Sequence, residues 1–179
     1  VKKSRQYFHV IFVGNFGLRK GGIYFLQAAE QLANKNIKFT VIGSVKLDQS
    51  IVNKYKEFVN FTGSISRDKV RDYYLDADVM CLPSLCEGSA TVSYEALSYG
   101  VPLITTFNSG TVVNDSQEGI IIPIRDSDAI VKSIEKLKSN PDLLLGMSIK
   151  AKEKSYEYTW DKYEERLMNL IIKESNNYE

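Results

Sequence analysis

The sequence predicts an α/β fold: a doubly wound parallel sheet of about six strands, with helices on both faces and a helical C-terminal tail. Three observations predict it. Short apolar runs alternate with longer amphipathic segments. The runs are continuously hydrophobic, as strands buried on both faces are, and not alternating. The alternation stops near Asn140, after which only helical patterns follow. Such a Rossmann-like sheet has right-handed crossovers and binds ligands beyond the carboxyl ends of its strands.

The strands are predicted over 9–14, 38–43, 59–63, 79–83, 102–106 and 119–124, each rich in Val, Ile or Phe and bounded by Gly, Pro or Ser. Between them, 22–34 carries Tyr24, Phe25, Ala28, Ala29 and Leu32 at helical spacing. A weaker helical pattern covers 47–58. A third covers 66–77, with Ser66 placed to cap it but Lys69 where a capping box needs Glu or Gln. The fourth helix, 87–99, stops at Gly100 with Pro102 beyond. The fifth, 127–137, aligns Ile130, Val131, Ile134 and Leu137. Asn140-Pro141 then opens the tail helices over 142–157 and 161–173, with Pro in the first turn. The organisation expected is one domain over 1–179: a leading segment 1–8, a core 9–139 and C-terminal helices 140–179. No internal repeat or low-complexity segment interrupts it.

The 179 residues are 44% hydrophobic, enough for one full core. With 23 basic and 22 acidic residues the net charge is +1, which speaks against a general nucleic-acid binder. Cys81, Cys86 and the single His9 do not form a zinc pattern, and no disulfide or metal is expected. His9 adjoins the apolar run 10–13 and reads as structural. No apolar stretch reaches the roughly 18 residues a membrane span requires, and no signal peptide is visible. The start at Val1 reads as that of a fragment.

Three loops on the predicted rim carry the candidate chemistry. The first, 14–22, joins a strand to a helix and holds four glycines around Arg19 and Lys20. Backbone N–H groups there can approach an anion, and the helix N-terminus favours negative charge. Two adjacent cations at a helix start are mildly unfavourable in themselves, which points to a phosphate; a solvated turn is the other reading. The loop matches neither the P-loop nor the Gly-x-Gly-x-x-Gly dinucleotide pattern. The second loop, 83–96, is more specific. Gly88, Ser89 and Ala90 are small enough for close backbone approach, and Thr91 follows them into a helix. Glu87 and Glu95 bracket the segment. Read as one helix, the eight residues between them span about 12 Å, comparable to a sugar-diphosphate-ribose. Glu87 could instead serve only as a helix-start acid, and Glu95 as a surface residue. Its mostly apolar neighbours Val92, Ala96 and Leu97 nonetheless demand a hydrogen-bond partner. The third loop holds Ser64 and Ile65, which could meet a base or form an ordinary turn.

Together these residues resemble the C-terminal domain of a retaining glycosyltransferase of the large family four, the group 1 glycosyltransferases, with two-domain GT-B architecture. The resemblance covers about residues 10–170. It runs through Val13-Gly14 with Arg19-Lys20-Gly21, Val41-Ile42-Gly43, Phe61-Thr62-Gly63 and Ala77-Asp78-Val79. It continues through Pro83-Ser84, Glu87-Gly88, Glu95-Ala96, Gly100-Val101-Pro102 and Glu118-Gly119.

The resemblance implies that Arg19 and Lys20 hold the donor diphosphate and that the N–H groups of Gly88, Ser89, Ala90 and Thr91 receive the phosphates. Glu95 would accept the ribose hydroxyls, Glu87 would lie near the transferred sugar as the catalytic-site carboxylate, and Ser64 and Ile65 would meet the base. Many members carry Arg where this chain has Asn15, and a large apolar residue and Gly where it has Ser89 and Ala90. The resemblance implies a UDP-, GDP- or ADP-sugar donor, no cofactor, no metal and retention of configuration in polysaccharide biosynthesis. It also implies an N-terminal acceptor domain absent from this chain, so that the isolated domain is inactive. The expected location is cytoplasmic, with membrane-face association only through the absent domain. Other classes weighed are a nucleotide-sugar epimerase of the same architecture and a non-catalytic nucleotide-binding module. A receiver-like module is disfavoured, because Asn15, Arg19 and Lys20 stand where it needs acids. Tyr156, Tyr158, Trp160 and Tyr163 are expected either as an exposed apolar patch or as ordinary packing.

Overall fold

The computed structural model describes residues 6–176, and side chains through residue 173; of the leading segment, 1–5 lie outside the described residues. Six strands form one sheet: β1 (Phe8–Val13), β2 (Ile37–Ile42), β3 (Val59–Gly63), β4 (Val79–Leu82), β5 (Leu103–Thr106) and β6 (Gly119–Ile122). Their order is β3-β2-β1-β4-β5-β6, and every pairing is parallel. The helices are α1 (Gly22–Gln31), α2 (Gln49–Tyr55), α3 (Arg67–Asp76), α4 (Thr91–Ser98), α5 (Ser127–Ser139), α6 (Pro141–Ser155) and α7 (Trp160–Asn176). This is the doubly wound architecture expected. The chain winds outward from β1 through β3, returns to the middle and winds the other way from β4. The crevice between β1 and β4 is therefore the topological switch point, where open α/β sheets bind ligands.

Central position explains the central sequence. All six residues of β1 and all four of β4 are buried. An edge-to-face aromatic group packs on β1: Phe12 lies 4.8 Å from Phe16, Phe16 5.7 Å from Phe25, and Phe25 5.5 Å from Phe39. Phe16 belongs to the loop after β1 and is fully buried. It anchors that loop, so the following Arg19 and Lys20 leave from a fixed base.

Helix starts follow their caps. Asp48, Asp126 and Asn140 accept hydrogen bonds from backbone N–H groups at the starts of α2, α5 and α6. Ser66 occupies the expected cap position of α3 without making that bond. α6 buries Met147 and Ala151, and its Ser148 Oγ donates to Gly100 O at 2.6 Å. Every described side chain of α7 is exposed, Trp160 by 82%. Tyr156 and Tyr163 are exposed with it, whereas Tyr158 is half-buried against Tyr94 at 5.6 Å, so the tail aromatics divide between surface and packing. Among the described residues no helix is long and apolar enough to cross a membrane.

One boundary corrects the sequence reading. The fourth helix begins at Thr91, not Glu87, and Ala90 is extended at φ −84°, ψ 95°. The Glu87 N–H is bound to Asn108 O at 2.9 Å, which ties residue 87 to the segment after β5, ahead of the extended Ala90. Glu95 therefore lies little more than one turn into the helix, and the 12 Å helical spacing between the two carboxylates does not apply.

Candidate active site

Two loops meet over the β1–β4 crevice. Gly21 has φ +71°, and a Cβ there would run into the Pro83 carbonyl, so only glycine lets the loop after β1 lie on the loop after β4. The Leu85 N–H donates to Arg19 O at 2.8 Å, fastening the same two loops. On the other side, Gly110 (φ +62°) lies directly against the Gly88 carbonyl. The segment 85–89 is thus held from both flanks.

Three charges converge there. Arg19 Nη1 approaches Glu87 Oε1 at 2.8 Å and Lys20 Nζ approaches it at 3.4 Å. Glu87 and Lys20 are nearly enclosed, with side-chain exposures of 10% and 12%, whereas Arg19 is 63% exposed. The Nη1 hydrogen bond goes to Cys86 O, at 3.2 Å. Its approach to Glu87 is off the N–H axis, so Oε1 is close to two cations yet buried without a hydrogen bond. The buried Ser84 Oγ in the same loop also has none. Buried polar atoms left this way are uncommon and costly.

Glu95 has a different setting. It is exposed on α4, and its Oε2 accepts from Tyr74 Oη at 3.0 Å. Tyr74 is buried and stacked on Tyr99 at 5.2 Å. Burial first, and the Glu95 charge second, push its phenol far above the usual tyrosine range, so it remains a neutral donor. Glu95 is thus a surface residue, the second of the two sequence readings, and its apolar neighbours do not force the bond that Tyr74 gives it. Ser89, Thr91 and Glu95 line a cleft of about 1070 Å³ whose opposite wall is Arg67, Arg71 and Tyr74 of α3, closed by Tyr158, Trp160 and Arg166 from the tail.

The structure thus brings Arg19, Lys20 and Glu87 into one cluster, and Ser89, Thr91 and Glu95 into the adjoining cleft. Gly88 and Ala90 lie on the segment between. Ala90 at the start of α4 contributes no side-chain cap, so that helix keeps backbone donors of its first turn open, whereas at the start of α1 the Gly21, Gly22 and Tyr24 N–H groups are taken by Leu18 O, Gly17 O and Gly21 O. Ser64 is exposed and Ile65 half-buried at the end of β3; the cleft wall on that side is built from α3 instead. Asn15 turns toward the loop after β2, its Oδ1 accepting from Ser44 Oγ at 2.6 Å. Sequence reasoning missed Tyr74, Arg67 and Arg71. A tyrosine on the buried stripe of α3, whose hydroxyl must find a partner, was the available signal. Cys81 is buried, Cys86 is exposed and both are free, as expected. His9 is fully buried among β1, β2 and α3, a structural residue.

Residues 7–140 match the family model described as "Glycosyl transferases group 1". The chain belongs to that family. Among its relatives is a capsular polysaccharide biosynthesis glycosyltransferase, CapM, of Staphylococcus aureus. It is 30% identical over 182 residues, which cover 94% of this chain and 47% of CapM. The chain spans about half the length of the curated relatives it matches, 48% of each of two others. Among solved structures, sucrose-phosphate synthase from Thermosynechococcus elongatus superposes with a TM-score of 0.82 at 22% identity, covering 96% of this chain and 46% of that one. Anabaena Alr3699/HepE, in complex with UDP and glucose, gives 0.74 at 17% identity, covering 85% and 44%. These likenesses establish the shared fold. Group 1 membership places the chain in a glycosyltransferase family and does not favour the epimerase alternative.

Proposed function

We propose that this chain is the donor-binding half of its glycosyltransferase, binding a nucleoside diphosphate sugar across the β1–β4 crevice. The observation that carries the reading is the convergence of Lys20 and Arg19 on Glu87 beside the uncapped start of α4. Two cations, Lys20 enclosed and Arg19 exposed, beside open backbone N–H groups at one switch point are what a diphosphate requires. In this reading the Gly88–Thr91 backbone and the two cations hold the phosphates. Glu95, oriented by Tyr74, accepts the ribose hydroxyls, and the base extends toward α3 and the loop of Ser64 and Ile65. The complex of HepE with UDP and glucose lends a precedent in the same fold for a UDP-type donor.

The chemistry is departure of a nucleoside diphosphate from an anomeric carbon. Negative charge grows on the leaving phosphates, where Lys20 and Arg19 stabilise it without a metal or other cofactor. Positive charge grows on the sugar, where Glu87 stands to position it. Configuration is retained, with the leaving phosphate assisting the acceptor hydroxyl. This differs from the two-carboxylate arrangement of glycoside hydrolases. The acceptor belongs to the half of the relatives that this chain does not align with, and any approach to the cytoplasmic membrane face occurs through that half. The exposed α7 residues Leu167, Leu170 and Ile171 offer it an apolar surface. This chain alone then binds donor and transfers sugar negligibly. The CapM relationship suggests polysaccharide assembly as the setting.

A thermal-shift panel of UDP-, GDP- and ADP-sugars tests the reading, since a ligand that binds only the folded state raises the unfolding temperature. A shift with one nucleotide class, lost in Lys20→Ala, is the expected result. No shift with any of the three, followed by no heat in calorimetry, would discard it.

A further inference from the structure

The cation that the diphosphate needs is already engaged by the carboxylate that the sugar needs. Arg19 Nη1 lies 2.8 Å from Glu87 Oε1. The two partners differ in freedom. Glu87 is nine-tenths buried, its backbone fixed to Asn108 O and its neighbour Gly88 pressed against Gly110. The Arg19 backbone is fixed through Leu85, but its side chain is 63% exposed and carries one hydrogen bond, to Cys86 O. The guanidinium can therefore swing while the carboxylate stays. Lys20, at 3.4 Å from the same oxygen and 12% exposed, stays with it.

The pairing is also incomplete. Oε1 is buried next to two cations without receiving a hydrogen bond. A planar guanidinium binds a phosphate group in forked, charge-assisted fashion, and a diphosphate carries more charge than a carboxylate. A sugar hydroxyl, in turn, would give Oε1 the hydrogen bond it lacks.

We propose that Arg19 is a donor-operated latch: it covers Glu87 until a nucleoside diphosphate draws it away, and its departure opens Glu87 to the sugar. The proposal rests on the donor-binding reading above. Besides holding the phosphates, Arg19 then controls access to Glu87, which orders recognition with diphosphate first and sugar second. A free sugar, with no phosphate to move Arg19, finds Glu87 occupied.

The latch predicts a coupling that plain electrostatics does not. UDP, GDP and ADP are titrated in turn into the chain by calorimetry, and the nucleotide that binds is carried through four proteins: native, Arg19→Ala, Glu87→Gln and the double variant. Glu87→Gln should tighten the nucleotide about threefold or more in the native background, because Arg19 is no longer held back. In the Arg19→Ala background the same change should have little effect. Equal tightening in both backgrounds would mean simple repulsion between carboxylate and phosphate, and would overturn the latch. So would no tightening in the native background. Absence of nucleotide binding by the native chain would remove the donor reading and the latch together, whereas binding without coupling removes the latch alone. Thermal unfolding establishes that each variant is folded, and Arg19→Gln replaces Arg19→Ala if the latter is not.

Discussion

The two ends of β1 carry polar groups under opposite terms. At the amino end, His9 is fully buried and all of its groups are bonded. Its Nδ1–H donates to Asp76 Oδ2 at 2.7 Å, its Nε2 accepts from Thr40 Oγ1 at 2.8 Å, and its backbone N–H donates to Asp78 Oδ2 at 2.8 Å. At the carboxyl end, Glu87 Oε1 and Ser84 Oγ are buried without hydrogen bonds, beside Lys20 and an exposed Arg19. A network closed on itself fastens strands and helix together. One left open is free to serve a ligand, as the donor-binding proposal requires. On that proposal the contrast separates residues that make the fold from residues that bind, and it can be tested at each end.

The largest effect should come from breaking the floor of the open end. Gly21→Val would demand φ +71° of a β-branched residue and drive its Cβ into the Pro83 carbonyl. A cost of about 3 kcal/mol or more is expected in urea unfolding, from strain and clash together. Lys20→Ala should act the opposite way. It removes a cation from the crevice and leaves the nearly enclosed Glu87 to Arg19 alone, so nucleotide affinity should fall about tenfold or more, by about 1.4 kcal/mol or more, with a smaller loss of stability. If Lys20→Ala instead destabilises the chain as much as it weakens binding, the open end is structural after all.

At the closed end the signs reverse. His9→Phe would leave the buried Thr40 hydroxyl without the ring nitrogen it meets. A loss of about 1–3 kcal/mol of stability is expected, with nucleotide affinity unchanged in the folded fraction. The native chain should also lose stability on mild acidification. Burial, then the Lys38 charge, lower the His9 pKa, while Asp76 opposes them and does not prevail. The unfolded chain therefore takes up the proton more readily than the folded one. The His9 contribution is complete above about pH 6.5 and declines as pH falls below it toward the folded value. The slope is at most about 1.4 kcal/mol per pH unit and should be absent from this window in His9→Phe. Urea titrations at pH 7.5, 6.5 and 5.5 read it directly. An undiminished slope in the variant would assign the proton to another group.

How much of this was legible follows from where the determinants lie. The sheet could be read because burial on both faces writes itself into β1 and β4 as unbroken apolar runs. The tail could be read because Asn140 and Pro141 mark a helix start locally. Arg19, Lys20 and Glu87 were legible as candidates because cations and small residues stand out in strand-to-helix turns. Their mutual contact was not, since it depends on Gly21 lying against Pro83, two segments distant in sequence. The start of α4 was misplaced for the same reason, because residues 87 and 88 lie against Asn108 and Gly110, which are distant in sequence. The apolar neighbours of Glu95 suggested a buried carboxylate, but they face the core while Glu95 faces out, and Tyr74 could be named as its partner only once its hydroxyl was seen to reach α4.

Tyr74→Phe gives the smallest effect and divides the comparison most finely. Tyr74 belongs to both regimes: its ring is buried and stacked on Tyr99, like the closed end, while its hydroxyl serves an exposed carboxylate, like the open end. Phe preserves the ring and deletes the hydroxyl. Because Glu95 is exposed, water can replace the lost hydrogen bond, so stability should fall by no more than about 1 kcal/mol. The carboxylate would lose its fixed orientation, and nucleotide affinity should fall about two- to fivefold, less than in Glu95→Ala, as for an orienting contact. Calorimetry on Tyr74→Phe, Glu95→Ala and the pair decides between the regimes. If the hydroxyl acts only through Glu95, adding Tyr74→Phe to Glu95→Ala changes affinity no further. A further loss in the pair would mean that Tyr74 meets the nucleotide itself.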